Sequence, residues 1–364
     1  MKIVAFIFNL SKGGAQGVFV NVVNYLYEMN YDVTVAVQNL DDPVYQKDLY
    51  PEIPVVDFGI HGAKNLFPKL KEYVEKNEFD LAFSFSPEIS VNLCWVRSVT
   101  RKKFAIIGRC INTLSYEYKY ADTFFRKYVT KNLVKLFYHK VDCSIAQSKG
   151  MGKDLIENYG FKKSQVHTIN NALGVAFERE MNRTELPDKG NFMLYAGRLE
   201  PQKGLFMLLD SFAKIQDKTI QLKLIGEGSQ KEELIEYVKK HNLENRVEFV
   251  NHTKKMVDYY RAARLTVLSS YFEGFPNVLV ESIACGTPVV SFDLPSGPEE
   301  IIINGKNGYL TKYLNTDDLA DKIDRALQQD WNVKEIKDTA KRYERERIFQ
   351  QYVALIQMMQ TNKE

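Results

Sequence analysis

Short apolar segments alternate with longer amphipathic segments along almost the whole of this chain. Six apolar runs in the first half have the length of buried strands, at residues 2–8, 33–37, 54–58, 81–85, 104–107 and 143–146. Stretches with a helical period separate them, among them residues 16–28, 66–75 and 125–137. A strand followed by a helix, repeated many times, predicts a doubly wound parallel sheet with helices on both faces.

The alternation breaks once and then resumes. Residues 174–190 are polar and charged and have no period, which is typical of a linker. Five further strand-like runs follow, at residues 192–196, 221–225, 247–250, 265–268 and 288–292. Helical stretches lie among and after them, at residues 205–214, 231–240, 277–284, 316–327 and 333–359. A chain of 364 residues can form two cores. We therefore predict two α/β domains, residues 1–173 and 191–344, whose ligands bind at the carboxyl ends of the strands.

The charge distribution and the cysteines indicate which partners and which cellular compartment to expect. The net charge is +5 over residues 1–175 and −2 over residues 176–364, which indicates either an anionic partner for the first half or an incidental imbalance. The four cysteines are scattered without zinc spacing or a disulfide framework, so a reducing cytoplasm is expected. No run approaches the roughly 18 apolar residues that span a bilayer. The apolar start favours a first strand over a signal peptide.

A glycine pair follows the first predicted strand. Gly13 and Gly14 would allow a ligand to approach the backbone, and the next helix would offer its amino end to an anion. The segment is not a dinucleotide fingerprint, because Lys12 stands where the first glycine is required, and no Walker A lysine follows. A tight turn without a ligand explains the pair equally simply.

Two cations follow the first strand of the second domain. Arg198 can make a forked contact to phosphate, and Lys203 can supply a compact positive charge. Together they would neutralise the charge that builds on a departing diphosphate. The alternative is a pair of solvated side chains at the start of a helix.

The segment 271–281 carries two glutamates around a predicted helix start. Pro276 suits the first position of a helix, and the amides of Asn277, Val278 and Leu279 would then face a phosphate oxygen. Glu281 lies one turn further along the helix, where its carboxylate could accept hydrogen bonds from ribose hydroxyls. Glu273 lies in the apolar loop before the helix, closer to a sugar. A solvated acidic loop is the alternative.

A further strand-to-helix loop contains Gly297. It is a second place for an anion or sugar contact, and an equally simple interpretation is a helix start that Ser296 caps.

Together these segments resemble the family 4 glycosyltransferases, retaining enzymes with two Rossmann-like domains that face each other across a cleft (the GT-B architecture). The resemblance implies that Gly13 and Gly14 form the donor loop and that Arg198 and Lys203 bind the diphosphate. It implies that Glu273 contacts the transferred sugar and Glu281 the ribose. It also implies that a final helix, about residues 345–364, crosses back onto the first domain.

The chain departs from the family pattern in the first domain and in its metal ligands. Many members have a histidine near the sugar, where this chain offers Arg109, a candidate for donor or acceptor contact. No Asp-x-Asp sequence is present to hold a divalent metal on the diphosphate. We therefore expect transfer without a metal or another cofactor. The family implies a same-face substitution in which the leaving diphosphate helps to deprotonate the acceptor.

Residues 124–142 predict a basic amphipathic helix. Lysines recur every four residues and apolar side chains fall on another face: Lys127, Lys131 and Lys135, against Phe125, Val129, Leu133 and Leu136. Such a helix can lie on anionic lipid, which predicts peripheral association with the inner membrane face and a polyprenyl-diphosphate-linked acceptor. The alternative is a helix that packs its apolar face into the core, with a soluble acceptor.

The predicted function is transfer of a hexose or an N-acetylhexosamine from a nucleotide diphosphate sugar, with UDP the commonest donor nucleotide among relatives. The acceptor would be a glycan or a lipid-linked saccharide, and no nucleic-acid partner is expected. Two alternatives remain open, a nucleotide-sugar 2-epimerase of the same architecture and a non-catalytic subunit that binds a nucleotide sugar.

Overall fold

A computed structural model describes residues 1–61, 65–186 and 188–361. The chain forms two compact units, one of Met1–Asn171 together with the chain from Ile348 onward, and one of Ala172–Arg347. Pro187 of the predicted linker and residues 362–364 of the predicted last helix lie outside the described residues.

The first unit contains a parallel sheet of seven strands in the order β3-β2-β1-β4-β5-β6-β7. The strands are β1 (Lys2–Ile7), β2 (Asp32–Val37), β3 (Val55–Asp57), β4 (Leu81–Ser84), β5 (Ala105–Arg109), β6 (Cys143–Ala146) and β7 (Val166–Thr168). In the centre of the sheet Ile3 pairs with Val33 on one side and with Leu81 on the other. These residues are buried because helices cover both faces of a doubly wound sheet. β7 has only three residues and no apolar run, so the sequence pattern did not predict it.

In the described part of the first unit, six α-helices lie among the strands of this sheet. They are α1 (Gly14–Glu28), α2 (Leu66–Lys76), α3 (Pro87–Thr100), α4 (Leu114–Lys119), α5 (Lys131–Phe137) and α6 (Lys149–Asn158). A π-helical turn, Phe125–Thr130, leads directly into α5. The start of α3 shows why such helices begin where they do: Pro87 opens the helix and the Ser86 hydroxyl accepts hydrogen bonds from the amides of Glu88 and Ile89.

The second unit contains a parallel sheet of six strands in the order β10-β9-β8-β11-β12-β13. The strands are β8 (Phe192–Ala196), β9 (Gln221–Ile225), β10 (Val247–Val250), β11 (Leu265–Leu268), β12 (Val289–Phe292) and β13 (Gly308–Thr311). The helices are α7 (Val175–Met181), α8 (Leu205–Lys214), α9 (Lys231–Lys240), α10 (Met256–Ala262), α11 (Asn277–Ala284), α12 (Pro298–Ile301), α13 (Thr316–Gln328) and α14 (Val333–Ala340). The two doubly wound sheets confirm the predicted fold class.

The segment that the sequence presents as a linker is structured at its start. Residues 175–181 form α7, and the Glu180 carboxylate at its end is buried near the cations of Arg261 (3.0 Å) and Lys337 (3.6 Å). The amide of Arg345 also donates to the Glu178 carboxylate. Charged residues without an apolar period therefore form a helix here, because the second unit supplies their ionic partners.

The predicted final helix is two helices. A 3₁₀ turn at Lys341–Tyr343 separates α14 from α15 (Arg345–Thr361). From Ile348 onward the chain belongs to the first unit. There the ring of Phe349 packs on Tyr25 and the ring of Tyr352 on Phe83, with centroids 5.0 and 6.0 Å apart. Among the described residues, no helix has both the length and the apolarity that crossing a membrane requires.

Candidate active site

Arg198 lies in the loop that follows β8, at the carboxyl edge of the second sheet. The buried Tyr195, on the strand itself, donates a hydrogen bond from its hydroxyl to the Arg198 carbonyl at 2.7 Å. The Arg198 side chain is exposed, and its Nη2 donates to Gln202 Oε1 at 3.2 Å. The backbone of Arg198 is therefore fixed while its guanidinium remains accessible to an anion.

Lys203 ends a short 3₁₀ turn, Pro201–Lys203, in the same loop. Its carbonyl accepts a hydrogen bond from the Ser269 hydroxyl at 2.9 Å, which joins the loops after β8 and β11. Gly204 follows in the left-handed region (φ 60°), and a Cβ there would lie 2.3 Å from the Ser269 carbonyl oxygen. Only glycine allows the two loops to approach this closely.

Two of the three residues with predicted catalytic roles, Lys203 and Glu273, are in direct contact. Lys203 Nζ lies 2.6 Å from Glu273 Oε1, and their side chains are 15% and 12% exposed. The Ser270 hydroxyl donates to the same carboxylate oxygen at 2.6 Å. This places a basic and an acidic side chain side by side in a partly desolvated loop.

Gln202, which the sequence did not single out, connects both loops. Its Nε2 donates to the Phe272 carbonyl at 2.9 Å, and its own carbonyl accepts from the Tyr271 amide at 2.8 Å. Since its side-chain oxygen also accepts from Arg198, one residue orients the cation of one loop against the backbone of the other. A glutamine carries no titratable group, so no motif marks it for this role.

The start of α11 differs in one respect from the prediction. Pro276 precedes the helix instead of occupying its first turn, and Asn277 and Val278 are the first two helical residues. The amide of Leu279 donates to the Pro276 carbonyl at 3.0 Å. That amide is therefore engaged within the turn and does not face an anion as the sequence suggested.

Glu281 lies on α11 with one defined partner. The Tyr260 hydroxyl donates to Glu281 Oε2 at 3.1 Å, and Tyr260 is fully buried on α10. Burial raises the pKa of Glu281 to about 7, and the hydrogen bond from Tyr260 acts in the opposite direction. The Glu281 carboxyl group can accept hydrogen bonds from hydroxyl groups. It is a better acceptor when it is ionised, so its strength as an acceptor changes with pH near neutrality. Tyr260 has no sequence signal, since a tyrosine in an amphipathic helix is usually a core residue.

The loop after β12 holds the backbone at Glu273 through hydrogen bonds. The buried Ser296 hydroxyl donates to the carbonyls of Glu273 (2.9 Å) and Gly274 (3.2 Å). Ser296 therefore does not cap α12, contrary to the alternative interpretation of the sequence. Gly297 is the N-cap residue, with φ 99°, and a Cβ there would lie 2.6 Å from Pro276 Cδ.

The glycine pair of the first unit lies where the sequence predicts. Gly13 precedes α1 and Gly14 is its first residue. The Asn9 carboxamide oxygen accepts hydrogen bonds from the Ser11 hydroxyl (2.8 Å) and from Gln16 Nε2 (3.1 Å). The loop is thus held at the carboxyl end of β1 by side chains on both sides of the glycines.

Arg109, the candidate for substrate contact in the first unit, is completely buried. Its Nε donates to the Tyr352 hydroxyl at 3.1 Å, its Nη2 donates to Asn171 Oδ1 at 2.5 Å, and its guanidinium lies 4.8 Å from the centre of the Phe85 ring. These contacts give Arg109 a structural part, because they connect β5 to α15. A role in substrate contact stays a prediction.

The three lysines of the predicted amphipathic helix are at the surface. Lys127 and Lys135 are exposed and Lys131 is half-buried. Phe125 and Leu136, which the alternative interpretation placed in the core, are exposed as well. Among residues 1–61, 65–186 and 188–361, no group of three or more His, Cys, Asp or Glu side chains is arranged to hold a metal ion.

Two family models match the chain. Residues 12–176 match the model described as Glycosyltransferase Family 4, and residues 176–347 match the model described as Glycosyl transferases group 1. Together they account for nearly all of both sheets and the helices around them.

Relatives of known sequence match over most of their length. The chain is 26% identical to N-acetylgalactosamine-N,N'-diacetylbacillosaminyl-diphospho-undecaprenol 4-alpha-N-acetylgalactosaminyltransferase of Campylobacter jejuni subsp. jejuni, covering 93% of this chain and 94% of the relative. It is 28% identical to the amylovoran biosynthesis glycosyltransferase AmsD of Erwinia amylovora, covering 83% of each.

Solved structures share the fold. The lipopolysaccharide outer core galactosyltransferase WaaB matches with a TM-score of 0.78 at 20% identity, covering 98% of this chain and 99% of that one. Anabaena Alr3699/HepE in complex with UDP also matches with a TM-score of 0.78, at 19% identity, covering 98% and 100%. With both halves matched by family models and both sheets of the two-Rossmann-domain type, the chain belongs to the family 4 glycosyltransferases of the GT-B architecture.

Proposed function

We propose that this glycosyltransferase moves a hexose or an N-acetylhexosamine from a UDP-sugar to a saccharide acceptor, with retention at the anomeric carbon. The observation that carries the proposal is the contact of Lys203 with Glu273, on the same segment that leads to Glu281. A diphosphate needs a cation to bind it. The hydroxyl groups of the sugar need a hydrogen-bond acceptor, and the ribose hydroxyls need another. The loop and helix 271–281 with Lys203 supply all three.

Each side chain then has a defined part in the transfer. The bond between the anomeric carbon and the diphosphate oxygen breaks, and a bond to an acceptor hydroxyl oxygen forms on the same face. The acceptor proton passes to the leaving diphosphate, so no protein base is required. Arg198 and Lys203 stabilise the negative charge that develops on the diphosphate. Glu273 orients the sugar hydroxyls, and Glu281 holds the ribose. The amides of Asn277 and Val278 would complete the donor site of the second unit, and donor binding by Gly13 and Gly14 stays a prediction.

UDP is favoured as the donor nucleotide by two structures of the same fold, which are complexes of HepE with UDP and with UDP-glucose. The Campylobacter jejuni relative and a Staphylococcus aureus relative, poly(ribitol-phosphate) alpha-N-acetylglucosaminyltransferase, are both named for alpha transfer. An alpha linkage is the product expected when an alpha-configured donor reacts with retention.

The proposed acceptor is a growing glycan or a polyprenyl-diphosphate-linked saccharide in polysaccharide assembly. The Campylobacter relative is named for a diphospho-undecaprenol acceptor and the Erwinia relative for exopolysaccharide synthesis. A lipid-linked acceptor would bring the enzyme to the inner face of the membrane as a peripheral protein. We further propose that Arg198 and Lys203 replace a metal ion at the diphosphate, so that transfer requires no cofactor.

The first test is thermal-shift binding of UDP, GDP and ADP in the presence of EDTA. We expect stabilisation by UDP alone and a strongly reduced shift in Glu281→Ala. Glu232→Ala, an acidic residue in the first turn of α9, is the matched control and should respond like the wild type. No shift with any of the three nucleotides would reject the proposal.

A second assay separates transfer from epimerisation of the donor. The protein is incubated with a UDP-sugar with and without a saccharide acceptor, and the released UDP and the sugar product are measured. Transfer predicts products that depend on the acceptor. Conversion of the donor to an epimer without any acceptor would favour the 2-epimerase.

A further inference from the structure

The segment from Tyr120 to Phe137 leaves an unusual number of large apolar side chains in solvent. Each of residues 122–129 is exposed, so a whole turn of helix protrudes from the first unit. Phe124 is 75%, Phe125 55% and Leu136 60% exposed, and Tyr120 and Tyr128 are exposed too. A protein in water rarely leaves such a group of apolar residues uncovered, and clusters of this kind mark sites of association.

The orientation of this segment is fixed from its inner side. Arg126 Nη2 donates to Glu117 Oε1 on α4 at 2.7 Å, and Val134 and Tyr138 are buried. The ring of Phe137 packs edge-to-face with that of Trp95 on α3, with centroids 5.2 Å apart. Because these contacts anchor the segment to the body of the unit, the outward direction of its aromatic side chains is a property of the fold. The widened π-helical turn at Phe125–Thr130 places them there.

Positive charge surrounds the exposed aromatic residues. Between residues 119 and 140 the sequence has six Lys or Arg residues and one acidic residue, Asp122. Lys127 and Lys135 extend into solvent, and Lys119 Nζ lies 5.3 Å from the centre of the exposed Tyr120 ring. Aromatic rings mixed with lysines are suited to the boundary of a bilayer, where the rings enter the headgroup region and the ammonium groups meet lipid phosphates.

The place of this surface in the first unit also fits a membrane. Glu117, the partner of Arg126, lies on α4, and α4 begins five residues after the carboxyl end of β5. The protruding turn is therefore next to the carboxyl edge of the first sheet, the edge at which such sheets bind ligands. A bilayer that contacts this turn would present the polar end of an embedded lipid to that edge.

We infer that Tyr120, Phe124, Phe125, Tyr128 and Leu136, together with Lys127, Lys131 and Lys135, form a docking surface for a bilayer that contains anionic lipid. This aromatic–lysine surface inserts its rings at the headgroup level and is attracted by the lipid phosphates. The inference deepens the proposed membrane association and rests on the proposed function only for the identity of the acceptor.

Vesicle flotation tests the aromatic–lysine surface directly. The full chain is mixed with vesicles of phosphatidylcholine, or of phosphatidylcholine with one third phosphatidylglycerol, at low and at physiological salt. We expect flotation with the anionic vesicles and little with the neutral ones, with a decrease as salt rises. A protein that floats with neither kind of vesicle overturns the inference.

Two sets of substitutions separate ring insertion from charge. Phe124→Ser, Phe125→Ser and Tyr128→Ser combined should lower partitioning at least tenfold. Lys127→Gln, Lys131→Gln and Lys135→Gln combined should lower it at least fivefold and weaken its dependence on salt. The controls are the exposed apolar pair Leu186→Ser and Ile303→Ser, and the exposed lysines Lys218→Gln, Lys239→Gln and Lys240→Gln. Both controls should stay within twofold of the wild type, and equal losses in controls and test variants overturn the inference.

Phe124→Trp allows insertion to be measured by fluorescence, in a variant that keeps an aromatic side chain at this position. The new indole should show a blue-shifted emission when anionic vesicles are added and should be quenched by brominated acyl chains. An unchanged spectrum overturns insertion at this position.

Gel filtration tests the alternative that a second copy of the chain binds this surface. A wild-type dimer that the aromatic substitutions convert to a monomer, with no flotation of either, assigns the surface to self-association instead.

UDP thermal shifts on all these variants keep the two proposals apart. The test substitutions lie in the first unit and the control substitutions in the second. Both sets lie outside the loops that hold Arg198, Lys203, Glu273 and Glu281, so the shift with UDP should match the wild type. Flotation without any UDP shift would reject the proposed donor and leave the surface standing. A UDP shift without flotation would reject the surface alone.

Discussion

Lys203 Nζ and Glu273 Oε1 lie 2.6 Å apart, and each belongs to a different strand-to-helix loop of the second unit. Neither loop alone would hold its charge in a partly desolvated position, because an unpaired ion there would be costly. The pair is thus one of the contacts that join the two loops, and in the proposed transfer it is the place where the nucleotide sugar binds. We expect the diphosphate to compete for Lys203 and the sugar hydroxyls to compete for Glu273.

Substitution of either member of this pair should affect turnover more than folding. Glu273→Gln should lower kcat by about 10²–10³-fold with UDP affinity nearly unchanged, because its proposed contact is to the sugar. Lys203→Met should lower both. Steady-state kinetics with titration of UDP measures the two effects. The surface pair of Lys223 and Glu248, 2.7 Å apart on β9 and β10, is the control, and Lys223→Met should leave both quantities unchanged. Strongly weakened UDP binding in Glu273→Gln would contradict the assignment.

The binding of UDP should depend on pH through Glu281. Since the pKa of Glu281 is raised to about 7, its ionised form, the better acceptor for ribose hydroxyls, is lost as pH falls through neutrality. UDP affinity of the wild type should therefore decrease from pH 8 to pH 6 more steeply than that of Glu281→Gln. The titration of the diphosphate itself is common to both proteins and cancels in the comparison. Parallel pH profiles would exclude Glu281 from the ribose contact.

Glu281 should also make the free energy of unfolding depend on pH, in the direction opposite to that of UDP affinity. The raised pKa means that the folded protein binds the Glu281 proton more tightly than the unfolded chain, whose glutamate titrates near 4.5. The free energy of unfolding of the wild type should therefore fall, relative to Glu281→Gln, as pH rises from about 4.5 to 7. The difference should reach about 1–3 kcal/mol above neutrality, as urea denaturation at several pH values would measure. A constant difference would mean an ordinary pKa.

Tyr260 should influence the pKa of Glu281. Its hydrogen bond favours the ionised carboxylate, so Tyr260→Phe should raise the pKa of Glu281 further and move the midpoint of UDP binding to higher pH. Tyr259→Phe, the neighbouring residue on α10, is the control. Titrations of UDP binding across pH measure the shift. A general loss of affinity without a shifted midpoint would indicate that Tyr260 acts through packing alone.

Arg109 should contribute to stability through α15. Arg109→Met removes two hydrogen bonds in the core and should lower the free energy of unfolding by about 2–4 kcal/mol. Amide hydrogen exchange should accelerate in residues 348–361, where Tyr352 loses its partner. The folded variant should keep wild-type UDP affinity. Unchanged stability with a raised KM for the acceptor would instead support the substrate contact that the sequence suggests.

Two glycines in the left-handed region give a matched test of loop proximity. Gly204→Ala should lower the free energy of unfolding by about 2–4 kcal/mol, because its Cβ would lie 2.3 Å from the Ser269 carbonyl. Gly305 also has a positive φ, but a Cβ there would meet nothing within 4 Å. Gly305→Ala should therefore cost only about 1 kcal/mol. Thermal denaturation measures both, and equal costs would mean that the clash at Gly204 is relieved by movement of the loop.

The repeating strand and helix pattern was enough to predict both sheets, because buried parallel strands must be short and apolar whatever surrounds them. It failed for β7, β13 and α7, which lack that signal. β13 contains Gly308 and lies at the edge of the sheet beside β12, so its place depends on an existing neighbour. α7 depends on the buried partners of Glu180, which come from elements far along the chain.

The sequence by itself determined the fold class, and it predicted the loops, glutamates and cations that the family resemblance assigns to a nucleotide sugar. These follow from residue type and position relative to strands, which are local properties. Only the tertiary structure decided that Lys203 meets Glu273, that Tyr260 supports Glu281, that Ser296 braces a loop instead of capping a helix, and that Arg109 is buried against Tyr352. It also decided that Phe124 and Phe125 face solvent, because amphipathic spacing does not reveal which side of a helix a domain covers. Such pairings join residues up to 243 positions apart, and their geometry is set by how helices pack on the sheets.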